Sequence, residues 1–173
     1  TESARMRKNL ERHGVQYFQG HARFIEHNAI AIDGPDQPIR IEGDHFLIAT
    51  GSVPRCPPEI PFDDPDIYDS DEILELARLP ASLVVLGAGV IGCEYACMFA
   101  ALGVRVTLIE PRTELLGFLD REIVERLQTS MATLGIAIRL GTKWSNVTRE
   151  DARVVEPIAC RLAQGEVLHS EAL

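Results

Sequence analysis

The 173-residue sequence predicts an α/β chain: a parallel-stranded unit with a β-meander after it and a set of antiparallel strands before it. Three observations carry that prediction. Residues 82–86 (Ser-Leu-Val-Val-Leu) are a short aliphatic run, as expected of a parallel strand buried on both faces. Gly87, Gly89 and Gly92 follow as G-x-G-x-x-G, and the apolar spacing turns helical there, with Ile91, Tyr95, Met98 and Leu102 on one stripe. Residues 104–109 are a second aliphatic strand, ending in Glu110 eighteen residues after Gly92. Strand, glycine turn, helix, second strand and acidic end in this register make a Rossmann-like unit.

Each residue type has a chemical reason to be there. Gly87 permits a tight turn out of the strand, Gly89 lets the backbone approach a pyrophosphate, and Gly92 allows the helix to pack closely on the strand. The helix N-terminus, with Val90 and Ile91 in its first turn, offers free N–H groups and a positive dipole end to an anion. Glu110 stands where it would accept hydrogen bonds from a ribose 2′-hydroxyl, which favours NAD. Arg112 lies in the loop bordering that ribose, and a guanidinium there would fork onto the extra phosphate of NADP. The expectation is a preference for NAD over NADP that is modest rather than absolute.

Along the rest of the chain, residues 1–13 read as a basic surface helix closed by Gly14. Residues 15–18, 23–26, 29–32 and 39–41 are short strand candidates, separated by Gly20, Asn28 and Asp33-Gly34-Pro35. Residues 45–49 are a further apolar strand candidate, followed by five prolines between positions 54 and 65, too many for regular structure. Asp69 or Ser70 would cap a short helix reaching Ala77. Asp120 would cap another, with Ile123, Leu127, Met131 and Leu134 on one face and Gly135 as its stop. Residues 136–140 make a third parallel strand. Residues 143–169 read as three short strands turning at Glu150-Asp151 and Gln164-Gly165.

Composition narrows the partners. The net charge of −9 argues against nucleic acid or an anionic membrane and leaves small-molecule nucleotides. No apolar run reaches the ~20 residues that span a bilayer, and no signal peptide is visible. Cys56, Cys93, Cys97 and Cys160 show neither a disulfide framework nor metal-ligand spacing, so no metal is expected and a reducing cytoplasm is the expected location. Cys93 and Cys97 read as packing residues, and Trp144 as a core or rim aromatic. The chain starts without methionine and stops in what reads as the start of a strand, so it is read as a piece of a longer protein.

The order Ala49-Thr50-Gly51, proline-rich link, Asp-Ser-Asp-Glu helix and glycine fingerprint resembles the pyridine nucleotide–disulfide oxidoreductase-like flavoproteins. The residues that carry the likeness are 67–74 (Ile-Tyr-Asp-Ser-Asp-Glu-Ile-Leu), 87–96 (Gly-Ala-Gly-Val-Ile-Gly-Cys-Glu-Tyr-Ala) and 118–122 (Phe-Leu-Asp-Arg-Glu). Within that family the likeness is strongest to the transhydrogenase branch, whose members pass hydride from NADPH through FAD to NAD. The resemblance implies that residues 1–58 are the C-terminal part of an FAD-binding domain and residues 59–80 a link with a short helix. Residues 81–173 would then be an NAD(P)-binding domain truncated at its C-terminus. It places Gly87, Gly89, Val90, Ile91, Gly92, Glu110 and Arg112 on NAD(P), and His21, Ala22, Ala49, Thr50 and Gly51 beside the FAD of the full-length protein. Glu94 falls on a family glutamate near the flavin, although complementing the helix dipole explains it equally well. Some members carry a tyrosine lid at the position of Val90, so no lid is assigned here. The family's C-terminal domain would make the parent a homo-oligomer. Two alternatives stand beside the transhydrogenase reading: a dithiol flavoenzyme of the dihydrolipoamide dehydrogenase kind, and a non-catalytic module that binds or senses NAD(H).

Overall fold

The computed structural model describes residues 2–34, 37–150 and 154–173. They fall into two compact units, Thr1–Ser52 and Val53–Leu173.

The first unit opens with α1 (Glu2–Arg12), which is exposed along its whole length and stops at Gly14, whose φ of +69° suits a residue without a side chain. β1 (His21–Glu26), β2 (Ala29–Asp33) and β3 (Ile39–Glu42) form an antiparallel meander with β2 in the middle. Only β2 is buried, through Ala29, Ala31 and Ile32. Arg40 forks onto Glu26 and reaches Glu42, tying the two outer strands across β2. Residues 15–18 and 45–49, expected as strands, are irregular. The ladder ends at β1 and β3, so among the described residues these apolar runs find no strand to pair with, and Leu47 is 93% exposed. Phe46 packs edge-on against Phe24, their ring centroids 5.2 Å apart. Pro35 of the expected turn lies outside the described residues.

The second unit is three layers. β4 (Ser82–Leu86), β5 (Arg105–Ile109) and β6 (Ala137–Arg139) are parallel, in the order β4-β5-β6. Ala172 adds to the free edge of β4 by a parallel bridge to Leu83, with its N–H on the Ser82 carbonyl. Strand side chains alternate between faces, and the two faces of this sheet are covered differently. Leu83, Val106 and Leu108 point to α2 (Val90–Ala101) and α3 (Arg121–Thr133), among Cys93, Ala96, Phe99, Val124 and Met131. Val84 and Ile109 point the other way, onto a second antiparallel meander of β7 (Trp144–Arg149), β8 (Ile158–Leu162) and β9 (Val167–Ser170). Burial on both faces is why β4 reads as an aliphatic run, whereas β5 carries Arg105 and Thr107 and the edge strand β6 is exposed at Ala137 and Arg139.

The helices sit differently from their apolar stripes. α2 buries Cys93, Ala96 and Phe99, whereas Ile91, Met98 and Leu102 of the expected stripe are more than half exposed. Small side chains bring this helix close to the sheet, so the bulky stripe faces outward except for Tyr95, whose hydroxyl donates to the Ser70 carbonyl at 2.8 Å. α3 buries Val124 and Met131 while Ile123 and Leu134 are exposed; its cap is as expected, the Asp120 carboxylate accepting from the Glu122 N–H. The short helix after Asp69 is a single 3-10 turn, Glu72–Glu75, and stops before Ala77. The Asp69 side chain nevertheless accepts from the N–H groups of Asp71 and Glu72. The Gln164-Gly165 turn is present, and Asp151 of the other expected turn lies outside the described residues.

The proline-rich stretch is a loop packed on the second unit, with Ile60 and Ile67 buried against Val84, Ile109 and Val147. Arg149 of β7 fastens it, with Nε and Nη2 each 2.6 Å from the Asp64 carboxylate and a further bond to Asp66. The guanidinium holds the Asp64 carboxyl below the usual carboxylate range. Replacing Arg149→Met leaves a mostly buried Asp64 carboxylate without its cation, and we expect a loss of about 2–3 kcal/mol in urea unfolding. Adding Asp64→Asn to that variant should restore part of the loss; no recovery would show that the pair does not carry the loop.

Candidate functional site

The glycine turn lies where β4 hands over to α2, at the C-terminal end of the parallel sheet. Gly87 has a φ of +101°, and its N–H donates to the Ile109 carbonyl of β5 at 2.8 Å. Gly92 has no room for a side chain, since a Cβ there would lie 1.9 Å from the Gly87 carbonyl oxygen. Gly89 is the opposite case. A Cβ there would meet nothing within 4 Å and would project into open space over the turn. Gly89 also occupies the N-cap of α2 and supplies no side-chain hydrogen bond, so the first-turn N–H groups have no capping side chain.

Glu110 lies beyond the tip of β5 and is only 3% exposed. Its Oε2 accepts from the Ala88 N–H at 2.8 Å, inside the glycine turn, and its Oε1 accepts from the Arg112 N–H at 3.0 Å. The Arg112 guanidinium completes the set, with Nε 2.9 Å from Oε1 and Nη2 3.2 Å from Oε2. Arg112 beside it, and then the two backbone donors, draw the Glu110 carboxyl down to about 2 against the opposing effect of burial. The backbone around this pair is fixed: Glu110 N–H donates to Arg139, Thr142 N–H to Glu110, and Gly141 N–H to Arg112.

A cavity of about 640 Å³ opens in front of the turn. Gly87, Gly89, Ile91, Gly92 and Glu110 of the expected residues line it together. Val90, half-exposed at the start of α2, and Arg112 do not line it; Arg112 joins the site through Glu110. Glu94 is exposed on α2, without a hydrogen bond or ion pair among the described residues. His21 and Ala22 open β1, and Ala49, Thr50 and Gly51 are exposed in the irregular end of the first unit. Sequence reasoning gave Arg55, Tyr68 and Ser70 no place in the site, yet they also border the cavity; the folding back of the proline-rich loop brings them there. Trp144 lines the cavity as a rim aromatic. Cys93 and Cys160 are buried packing residues, and burial pushes both thiols up, Cys160 to about 11.

Residues 2–172 match the family described as pyridine nucleotide-disulphide oxidoreductase. The chain belongs to this family. It is 42% identical over 158 residues to the soluble pyridine nucleotide transhydrogenase of Mycobacterium bovis BCG, an alignment that covers 89% of this chain and 33% of the relative. To the protein of the same name from Erwinia tasmaniensis it is 39% identical, over 100% of this chain and 37% of the relative. Among solved structures it is similar to LpdA from Mycobacterium tuberculosis, with a TM-score of 0.80 and 25% identity over 99% of this chain and 38% of that one. It is also similar to the HOCl-induced flavoprotein disulfide reductase RclA from Escherichia coli, in the copper(II) complex of a mutant form, with a TM-score of 0.74 and 28% identity over 99% of this chain and 40% of that one. The chain spans about a third of the length of the curated relatives it matches. No helix among the described residues is long and apolar enough to cross a membrane.

Two outcomes follow from this geometry. Gly92→Ala should lower the melting temperature sharply, because its Cβ meets backbone, whereas Gly89→Ala should leave melting almost unchanged; equal melting of both would show that the turn is not packed as described. Glu110, whose carboxyl is lowered on folding, contributes stability that is full above its ordinary value near 4.5 and lost as the pH falls through about 2. That contribution is at most about 3 kcal/mol, since the Arg112 end of the pair is open to water. The gap in unfolding free energy between wild type and Glu110→Gln should therefore be widest at neutral pH and shrink below about pH 4.5. A gap independent of pH would remove the ion pair as its source.

Proposed function

We propose that the second unit binds a nicotinamide dinucleotide, with the pyrophosphate over Gly87–Gly92 and the adenosine ribose at Glu110. One observation supports this most directly: the uncapped N-terminus of α2, the open space at Gly89 and the buried carboxylate of Glu110 all border one cavity. Val90 and Ile91 contribute first-turn N–H groups to the pyrophosphate. The apolar wall of Ile60, Phe62, Tyr95 and Trp144 would keep water from the dinucleotide's rings.

The whole protein, on this reading, moves hydride between NADPH and NAD; in support, two of its relatives bear the name soluble pyridine nucleotide transhydrogenase. FAD, bound by the full-length protein, supplies the redox group between the two nicotinamides. His21, Ala22, Ala49, Thr50 and Gly51 are the residues of this chain assigned to it, and Glu94 is assigned a place near the flavin, both on family resemblance. The parent is taken as a homo-oligomer on the same ground, and as cytoplasmic on its cysteine usage. Residues 1–58, 59–80 and 81–173 keep their assignments as FAD-domain tail, link and NAD(P) domain.

Binding of NADH and NADPH to the chain, followed by nicotinamide fluorescence, tests the core of this reading. NADH should bind more tightly than NADPH by a modest factor, and Gly89→Ala should weaken both, since its Cβ enters the pyrophosphate's space. Glu110→Ala should narrow or reverse the gap between the two nucleotides. Absence of binding by the wild-type chain, or indifference of both affinities to Gly89→Ala, would defeat the assignment.

A further inference from the structure

We infer that Arg112 is a specificity-determining residue that acts as an internal competitor for the ribose site, holding the Glu110 carboxylate against nucleotides that carry a free ribose diol. This rests on the proposed nucleotide site and adds to it the question of what Glu110 does before a nucleotide arrives.

A carboxylate has about four acceptor positions, two on each oxygen. All four are taken in Glu110. Oε1 accepts from the Arg112 N–H and Nε, and Oε2 from the Ala88 N–H and Arg112 Nη2. A ribose diol approaching Glu110 therefore finds no unoccupied acceptor, and something must leave first. The four donors differ in how easily they go. The Ala88 N–H belongs to the glycine turn, and the Arg112 backbone is anchored by the Gly141 N–H on its carbonyl at 2.7 Å. The guanidinium hydrogen-bonds only to Glu110 among the described residues, with Glu114 acting on it as a further negative charge, and it sits on a side chain that is 60% exposed. It can rotate into solvent without moving any backbone, and its release vacates one position on each oxygen.

The vacated pair has a definite shape. Nε and Nη2 form a two-pronged donor across both carboxylate oxygens, and the 2′- and 3′-hydroxyls of an unmodified ribose form the same kind of donor. The diol thus replaces the guanidinium bond for bond, so its net gain is the difference between two hydrogen-bonded states. A nucleotide phosphorylated at the 2′ position has lost one of those hydroxyl donors and is a poorer replacement at Glu110. In exchange it offers the displaced guanidinium an anion. One arginine would then hold back the NAD class and assist the NADP class, which narrows the preference that the bare glutamate would set.

The test uses the full chain with NADH and NADPH as probes, titrated against wild type, Arg112→Ala and Arg112→Lys, each checked for folding by its melting curve. Removing the clasp should tighten NADH by about two- to fivefold, the range set by a partly exposed ion pair. NADPH should not tighten and should weaken. Arg112→Lys keeps the charge without the two-pronged fork, so it should fall between wild type and Arg112→Ala for NADH. A gain in NADH affinity on deleting a cation is an outcome that a merely attractive or structural arginine would not produce. If wild type binds NADH and Arg112→Ala binds it equally or more weakly, the competitor role is wrong while the nucleotide site stands. If wild type binds neither nucleotide, both fall together.

Discussion

The contact between Gly92 and the Gly87 carbonyl oxygen sets the geometry on which the site depends. With no side chain between them, α2 lies directly on the end of β4, closer than any other residue would allow. That approach aims the first turn of α2 over the strand end and leaves the space at Gly89 open. It also puts the Ala88 N–H within reach of Glu110 on the neighbouring strand. The core of α2 follows the same constraint, since Cys93 and Ala96 are small enough to keep the helix down.

Glu110 then joins two segments far apart in sequence. Through Ala88 it holds the turn, and through Arg112 it holds the loop after β5. Both sites of attachment are backbone N–H groups, so the carboxylate is oriented whatever the guanidinium does. Such an acceptor is preorganised for a donor of defined shape, and the arginine that fills it in the free chain is part of the same local sequence, Glu-Pro-Arg. The chemistry of the site is thereby set by three residues at one strand tip.

How much of this can be read from the sequence differs by element. The parallel strands, the glycine turn, α2 and the meander are legible because aliphatic runs and glycine spacing record backbone needs directly. Residues 45–49 mislead, because an apolar, β-prone run makes a strand only where a neighbour offers its hydrogen bonds. The stripe on α2 misleads for another reason: the helix turns the face of Cys93, Ala96 and Phe99 to the core, two of which carry little weight in a hydrophobic period, and leaves Ile91, Met98 and Leu102 outside. Glu110 and Arg112 stand at the expected place, but their mutual saturation is not legible, since spacing alone does not reveal which donors a carboxylate has already accepted. The lining supplied by Arg55 and Tyr68 depends on a proline-rich loop folding back, which Arg149 secures from far along the chain.

The alternation of Leu108 and Ile109 between the helix layer and the meander layer bears on how this chain can change length. Losing or gaining one residue within β5 would exchange the two faces of the strand, driving each side chain into the wrong layer. It would also carry Glu110 away from the Ala88 N–H. The interval between Gly92 and Glu110 therefore cannot drift by single residues inside the strand. Added length is admissible only where no layer counts it, at the turn of Leu102 and Gly103, where the glycine's missing side chain faces open space.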